Sequence, residues 1–459
     1  MPWILARLPV VPRLGVILAL IGLLLVCLSA WAHGHQDRVA FALRAEVARL
    51  PPSERYIANV YRARAYRPLW SRDGRVFDQE ARTLLDWTAH AGDDGLRSDT
   101  YQVPRLRESL VRAAGGRPRD LARLDVAMSR ALARYESDLR RPGAATALVV
   151  TDPILSPPSP PSVLAAVGGS SSLAEHMANA RRMHPVYEAF RAERRRLATD
   201  RSAGARYRER VLLANMDRAR MLPRGSPGRY VLVDTASARL WLYENGRPVE
   251  SMRVVVGKDS QPTPIMAGLI RYAVFDPYWN MPPDLVRDQL APKVLRGGPE
   301  IIERQRLELL SDWSAAARPI TPDTVDWRSV EAGDTVLRVR QRPGPGNMMG
   351  RVKFMFPNRL GVYLHDTSDH SVFARDQRRL SAGCVRVEDA ARLARWLGLS
   401  PPASRGRTDR RADLPSPIPV YITYFSLPIE PHADASHDDP YGRDGHDMSP
   451  SLQRVGSRL

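Results

Sequence analysis

The hydrophobic period of this chain changes near residue 225, and that switch constrains its architecture more than any other feature. Before it, apolar residues recur every third or fourth position; from Arg229 onward they alternate. The first pattern buries one stripe of a helix, the second one face of a strand. The chain therefore reads as α+β: an N-terminal helical domain followed by a mainly β domain. Its 459 residues give two or three domains ample core.

In the helical half, Val39 to Leu50, Pro52 to Ala65, Asp78 to His90, Leu121 to Arg140 and Ser172 to Ala198 carry the helical spacing. Glycines at 92, 95, 115 and 116 and Pro142-Gly143 punctuate the loops. Between Asp152 and Val163 a Ser-Pro-Pro-Ser-Pro-Pro run predicts an extended strap, because each proline removes a donor and restricts its predecessor. His90, His176 and His184 lie far apart without ligand spacing and read as surface or capping residues.

A helix from Glu209 to Leu222 and the turn Gly225 to Gly228 precede the β half. Tyr230 to Asp234 and Arg239 to Tyr243 read as strands, and Asn245-Gly246 is a two-residue hairpin signal before Arg247 to Gly257. Further strands are expected at Leu269 to Phe275, Thr335 to Arg340, Val352 to Phe356, Gly361 to Leu364 and Val420 to Phe425. One helix is expected from Val387 to Leu397, closed by Gly398. Between Trp279 and Asp334 the strand signal lapses, and Pro282 to Ala317 look helical or irregular, which leaves either a lid over a cleft or a plain insertion.

The formal charge is +18, almost wholly from arginine, since lysine occurs only at Lys258, Lys293 and Lys353. That charge suits an anionic polymer or lipid surface, or simply solvated helix faces. No basic run with interleaved aromatics points to nucleic acid. At the N-terminus, Arg7 and Arg13 precede the uncharged run Leu14 to Leu28 and then Ala30-Trp31-Ala32, the order of an export signal. Cleavage after Ala32 is the reading, an uncleaved membrane anchor through residues 14–32 the alternative, and the periplasm the implied compartment.

Export makes the cysteine count informative. Cys27 lies in the leader, so a mature chain retains Cys384 alone, and an unpaired thiol in an oxidising compartment suggests reactivity. The chemistry-bearing residues cluster in Tyr363-Leu-His-Asp-Thr367 and Ser381-Ala-Gly-Cys-Val-Arg386. A cysteine and a histidine beside a glycine turn suit nucleophilic catalysis. With Cys384 placed just before a helix, the helix dipole is expected to lower its pKa. The Gly383 and Cys384 N-H groups are expected to face an oxyanion.

Residues 361 to 398, with Leu364-His-Asp-Thr367, Phe373-x-x-Asp376 and Arg379-x-Leu-Ser-x-Gly-Cys-Val-Arg386, resemble the catalytic motif of the L,D-transpeptidases (YkuD-like catalytic domain). Tyr66-x-Pro-Leu-Trp70, Asp94-Gly-Leu96, Asn215-x-x-Arg-x-Arg-x-Leu-Pro223, Trp279-Asn-x-Pro282 and Pro343-Gly-Pro-x-Asn347 extend the resemblance to the large Gram-negative type with a helical scaffold domain and a capping loop. The resemblance implies a scaffold domain over 36–205 and a catalytic domain over 206–427 with a capping insertion at about 282–334, between the leader over 1–32 and a polar tail over 428–459 whose composition predicts disorder. It leaves little room for the small peptidoglycan-binding domain common in those relatives.

By the same resemblance Cys384 is the nucleophile and His365 the general base, oriented by the backbone carbonyl of Asp366, while the Gly383 N-H joins the catalytic set and Ser381 and Gly383 shape the turn. Tyr363, Arg386, Trp279 and Ser381 line the substrate side, and no metal or cofactor is implied. The implied partners are peptidoglycan stem peptides: a tetrapeptide donor and a diaminopimelate acceptor, joined in a 3-3 cross-link. Other acceptors would make the chain an L,D-carboxypeptidase, an endopeptidase or a lipoprotein-anchoring enzyme. A non-catalytic wall-binding scaffold is the reading from another class.

Overall fold

The computed structural model describes residues 18, 34–225, 228–314, 316–400, 409–429 and 439–446. The expected leader falls almost wholly outside them, and among them no helix is long and apolar enough to cross a membrane. The chain divides into two compact units, 1–141 with 157–182, and 142–156 with 183–459.

The first unit is helical. A helix over residues 34–47 is followed by Arg55–Ala63, Asp78–Ala89, Val103–Ala113, Pro118–Arg140, Pro160–Gly169 and Leu173–Ala180. Their apolar stripes meet in one cluster that includes Leu43, Ile57, Trp70, Leu84, Leu132 and Leu164. Inside it sits one polar hub. The Asp125 carboxylate accepts the Leu69 and Trp70 N-H groups at 2.8 and 3.2 Å and the Tyr61 hydroxyl at 2.7 Å. Burial raises its pKa to about 6, against the pull of those bonds. The hub thus ties the Tyr66-x-Pro-Leu-Trp70 segment to the long 118–140 helix.

Two expectations for this half are corrected. The proline run does not exclude helix: Ser159 caps a helix whose first turn holds Pro160 and Pro161, where a proline N-H would have had no partner. The continuous 172–198 helix is two helices, Leu173–Ala180 and Pro185–Leu197, the second beginning at Pro185 behind the His184 cap. His184 is buried, accepts the Val186 N-H and meets the Tyr230 hydroxyl at 2.6 Å. His176 reaches the buried carboxylate of Glu136 at 2.7 Å.

The second unit is built on a ten-stranded sheet. Its strands are β1 (Arg229–Asp234), β2 (Arg239–Glu244), β3 (Arg247–Gly257), β4 (Met266–Phe275), β5 (Trp279–Met281), β6 (Leu307–Leu310), β7 (Arg338–Gln341), β8 (Val352–Met355), β9 (Leu364–His365), β10 (Arg379–Ser381), β11 (Val385–Val387) and β12 (Arg410–Thr423), of which β5 to β7 form a separate sheet. In the main sheet the order is β8, β9, β11, β3, β2, β1, β12, β4, and β4 pairs again with β8, so the path closes on itself. The two-residue strand Val149–Val150 adds beside β4, which brings the 142–156 segment into this unit. Inward residues such as Val231, Leu240, Val254, Ile270, Phe354, Leu364, Val385 and Ile422, all buried, form the core with Leu393 of the Ala390–Trp396 helix and Leu397 at its C-cap. Each such side chain contributes roughly 1.5–3 kcal/mol.

Residues 279–341, a span wider than the expected capping insertion, hold a hydrophobic cluster separate from that of the main sheet and are called the cap below. Sheet β5-β7-β6 packs with short helices around Val286, Leu290, Val294, Leu309, Trp327, Val330 and Val339. Asn347, fully buried, closes the base of this cap: its amide donates to the carbonyls of Pro277 and Arg342 at 3.2 and 3.1 Å, and its oxygen accepts the Met349 N-H at 2.7 Å.

Part of the tail is ordered. Within the span expected to be disordered, residues 439–446 return to the sheet and end in a short helical turn, Arg443–His446. They are held by polar contacts, which a reading of apolar periodicity passes over.

Candidate active site

Strands β9 and β11 run parallel and adjacent, with Leu364 opposite Val385 and His365 opposite Arg386. This register sets the Tyr363 and Cys384 stretches side by side at the strand starts; the Val385 N-H donates to the Tyr363 carbonyl at 3.1 Å. Cys384, His365, Tyr363, Arg386, Ser381 and Trp279 all line one cleft of about 590 Å³. The cap supplies part of that wall, through Trp279, Pro282, Asp284, Leu285 and Gln289.

His365 is buried, and its Nδ1 donates to the Asp366 carbonyl at 2.5 Å. That bond fixes the tautomer and leaves Nε2 as the acceptor. Burial, with Arg386 nearby, pushes its pKa down to about 3, so the imidazole is neutral at any ordinary pH. The Cys384 thiol is half-buried, and its sulfur contacts the Gly361 carbonyl at 3.5 Å. Burial raises its pKa, with hydrogen bonds from Tyr363 and the Arg386 charge working the other way. Tyr363 is pushed up as well, by burial and by the neighbouring sulfur, and stays a protonated donor. Its ring stands edge-on to His365 at 5.7 Å.

Two expectations about the nucleophile are corrected. Cys384 does not precede a helix directly: strand β11 intervenes, and the helix N-terminus belongs to Asp389, whose carboxylate accepts the Arg392 N-H at 2.8 Å. No dipole therefore lowers the thiol pKa. The Gly383 N-H, expected at an oxyanion, instead donates to Ser381 Oγ at 3.1 Å. Ser381 Oγ in turn donates to the Cys384 carbonyl at 2.6 Å, so its hydroxyl braces the turn. Gly383 adopts φ of +109°, which a side chain would strain.

Sequence reasoning missed Thr263. This fully buried residue accepts the Gly257 N-H at 2.9 Å and donates to the Gly383 carbonyl at 2.8 Å, stitching the end of β3 to the nucleophile turn. Among the described residues no cluster of three His, Cys, Asp or Glu is placed to hold a metal ion. His370 lies 3.6 Å from the Asp366 carboxylate, beside a second cavity of about 250 Å³ whose lining includes neither Cys384 nor His365.

Residues 228–422 match the family model of the L,D-transpeptidase catalytic domain, and residues 55–193 match a model described as a scaffold domain. Residues 228–422 are an L,D-transpeptidase catalytic domain. A Haemophilus influenzae protein named "Putative L,D-transpeptidase" is 31% identical over 245 residues, 51% of this chain and 48% of the relative, so the match spans about half of that protein. An L,D-transpeptidase structure from Mycobacterium smegmatis aligns with 42% of this chain and 58% of its own, at 12% identity and a TM-score of 0.22. L,D-transpeptidase 1 of Mycobacterium tuberculosis aligns with 42% and 61%, at 11% identity and a TM-score of 0.20. In the L,D-transpeptidase domain of this chain, the cleft that holds Cys384 is lined both by cap residues from Trp279 to Gln289 and by residues of the paired β9 and β11 stretches.

Proposed function

We propose that this chain forms 3-3 cross-links between peptidoglycan stem peptides in the periplasm through a Cys384 thioester. The observation that carries the reading is that Cys384, just before β11, and a tautomer-fixed His365, on the adjacent parallel strand β9, line the same cleft.

The chemistry starts from two neutral partners. His365 Nε2 accepts the thiol proton as the sulfur attacks the carbonyl of the third stem residue, a diaminopimelate. The oxyanion that forms is met by the Cys384 N-H and the Tyr363 hydroxyl, which is held protonated beside the sulfur. His365 returns the proton to the departing amine of the terminal D-alanine, leaving the thioester. The side-chain amine of a second stem then attacks, His365 takes its proton, and collapse of the adduct restores the thiol. A neutral resting pair suits an exported enzyme, because a thiol is oxidised more slowly than a thiolate. Arg386, partly desolvated at the cleft, supplies a charge for a stem carboxylate.

Incubation of the purified protein with tetrapeptide muropeptides, read by mass spectrometry, tests this. Expected are a mass on Cys384 equal to the stem less D-alanine and 3-3 dimers, both lost in Cys384→Ala. Stems trimmed without dimers would assign water as the acceptor. A thiol that takes up neither a carbapenem nor an alkylating label would favour a non-catalytic wall-binding role.

A further inference from the structure

We propose that residues 439–446 form a clasp that sets the position of the nucleophile turn, with Tyr441 as its positioning residue. The proposal rests on the reading of Cys384 as nucleophile.

The clasp is anchored by charge and aromatic contact. The Asp439 carboxylate accepts the Tyr424 hydroxyl and the N-H groups of Arg443 and Asp444, the last two at 2.8 and 3.1 Å. The Tyr441 N-H donates to the Tyr424 hydroxyl at 3.1 Å, and the two rings lie 5.6 Å apart. Arg218, fully buried on the Ala203–Ala219 helix, pairs with Asp444 at 2.8 Å and lies 4.9 Å over the Tyr424 ring. A tail that merely trails from a domain does not supply the carboxylate for a buried guanidinium.

From that anchor Tyr441 reaches the turn by two routes. Its hydroxyl donates to the Gly257 carbonyl. The same peptide unit carries the Lys258 N-H, which donates to the Ser381 carbonyl at 2.9 Å, so the Tyr441 bond loads one end of a peptide whose other end holds the turn. The second route is Arg379, whose guanidinium lies 5.8 Å from the Tyr441 ring two residues before Ser381. The first route runs through tightly packed backbone: a Cβ on Gly257 would sit 2.2 Å from the Gln261 carbonyl oxygen. Thr263 passes any displacement of Gly257 to the Gly383 carbonyl, one residue from the sulfur.

The test is Tyr441→Phe in the full chain, which keeps the ring and removes the hydroxyl. Two readouts are taken: steady-state acyl transfer, and hydrogen–deuterium exchange over 257–264 and 379–387. Expected is a fall in kcat of about three- to tenfold, the effect of one neutral hydrogen bond, with KM unchanged. Exchange should rise in those two segments and stay constant in residues 55–193. Unchanged exchange at 379–387, or a kcat equal to wild type, overturns the clasp. A drop in kcat with exchange raised across the whole second unit also overturns it, by making Tyr441 a stability residue only. A wild type that transfers no acyl group removes the proposed function alone, since the exchange arm still reads the clasp.

Discussion

The Nδ1 proton of His365 is committed to the carbonyl of Asp366, the residue that follows it in the chain. A base oriented by its own neighbour's backbone cannot be mis-set by the loss of a distant side chain, and its protonation is governed by burial. The folded chain keeps His365 neutral down to about pH 3, whereas an unfolded chain protonates it near 6.5. Between those values the unfolded state binds more protons, so this contribution to stability is complete above pH 6.5 and is lost as pH falls toward 3. Calorimetry should show the thermal midpoint of wild type falling further between pH 7 and pH 5 than that of His365→Gln. Asp125, whose raised pKa acts in the opposite sense, is common to both proteins and cancels in the difference. Equal falls would mean that the imidazole is solvated.

Thr263 serves two hydrogen bonds with one hydroxyl. Thr263→Val keeps the shape and removes both, which should cost about 1–3 kcal/mol of stability and lower kcat about tenfold at nearly constant KM. Thr263→Ser should recover most of the rate, and a Ser variant as slow as Val would assign the effect to packing.

Asp444→Ala strips the fully buried Arg218 of a carboxylate partner. A loss of about 3 kcal/mol is expected, the usual scale for removing one member of a buried ion pair. Pairing it with Arg218→Met should restore part of the loss in denaturant unfolding; a double variant as unstable as the single one would show that other contacts of Arg218 dominate.

Asn347 ties the strands entering and leaving the cap, so Asn347→Ala should loosen the cap more than the nucleophile. We expect a several-fold rise in KM for stem peptides with a smaller change in the alkylation rate of Cys384. A fall in alkylation of the same size would place the effect in the turn.

Much of the second unit was legible because its long strands alternate cleanly: β1, β2 and β3 lie within a residue of the period-two reading. What escaped was short or non-local. β11 is three residues, Val-Arg-Val, whose apolar ends also fit the start of the following helix, and only pairing with β9 and β3 makes it a strand. That ambiguity produced the wrong expectation for the Cys384 environment. β5 and β6 lie in a segment without alternation and exist through their common partner β7. Thr263 carries no local pattern at all, since its role depends on Gly383 lying 120 positions further along. Tyr441 sits in a polar tail whose fixing contacts are ion pairs and rings, and these leave no periodic trace. In the helical unit, Pro160 was read as a breaker because proline is neutral at a first turn and disruptive elsewhere, and only the Ser159 cap tells the two apart.

The cap has a separate sheet and a separate interior and is knotted to the 343–349 segment at Asn347 and Gln341, while the imidazole stands on β9 and the sulfur just before β11. The wall of one cleft is therefore drawn from two separately packed pieces of chain. Substitutions confined to residues 279–341 would alter the cleft wall at Trp279, Pro282, Asp284, Leu285 and Gln289 while leaving the pairing of β9 with β11 intact.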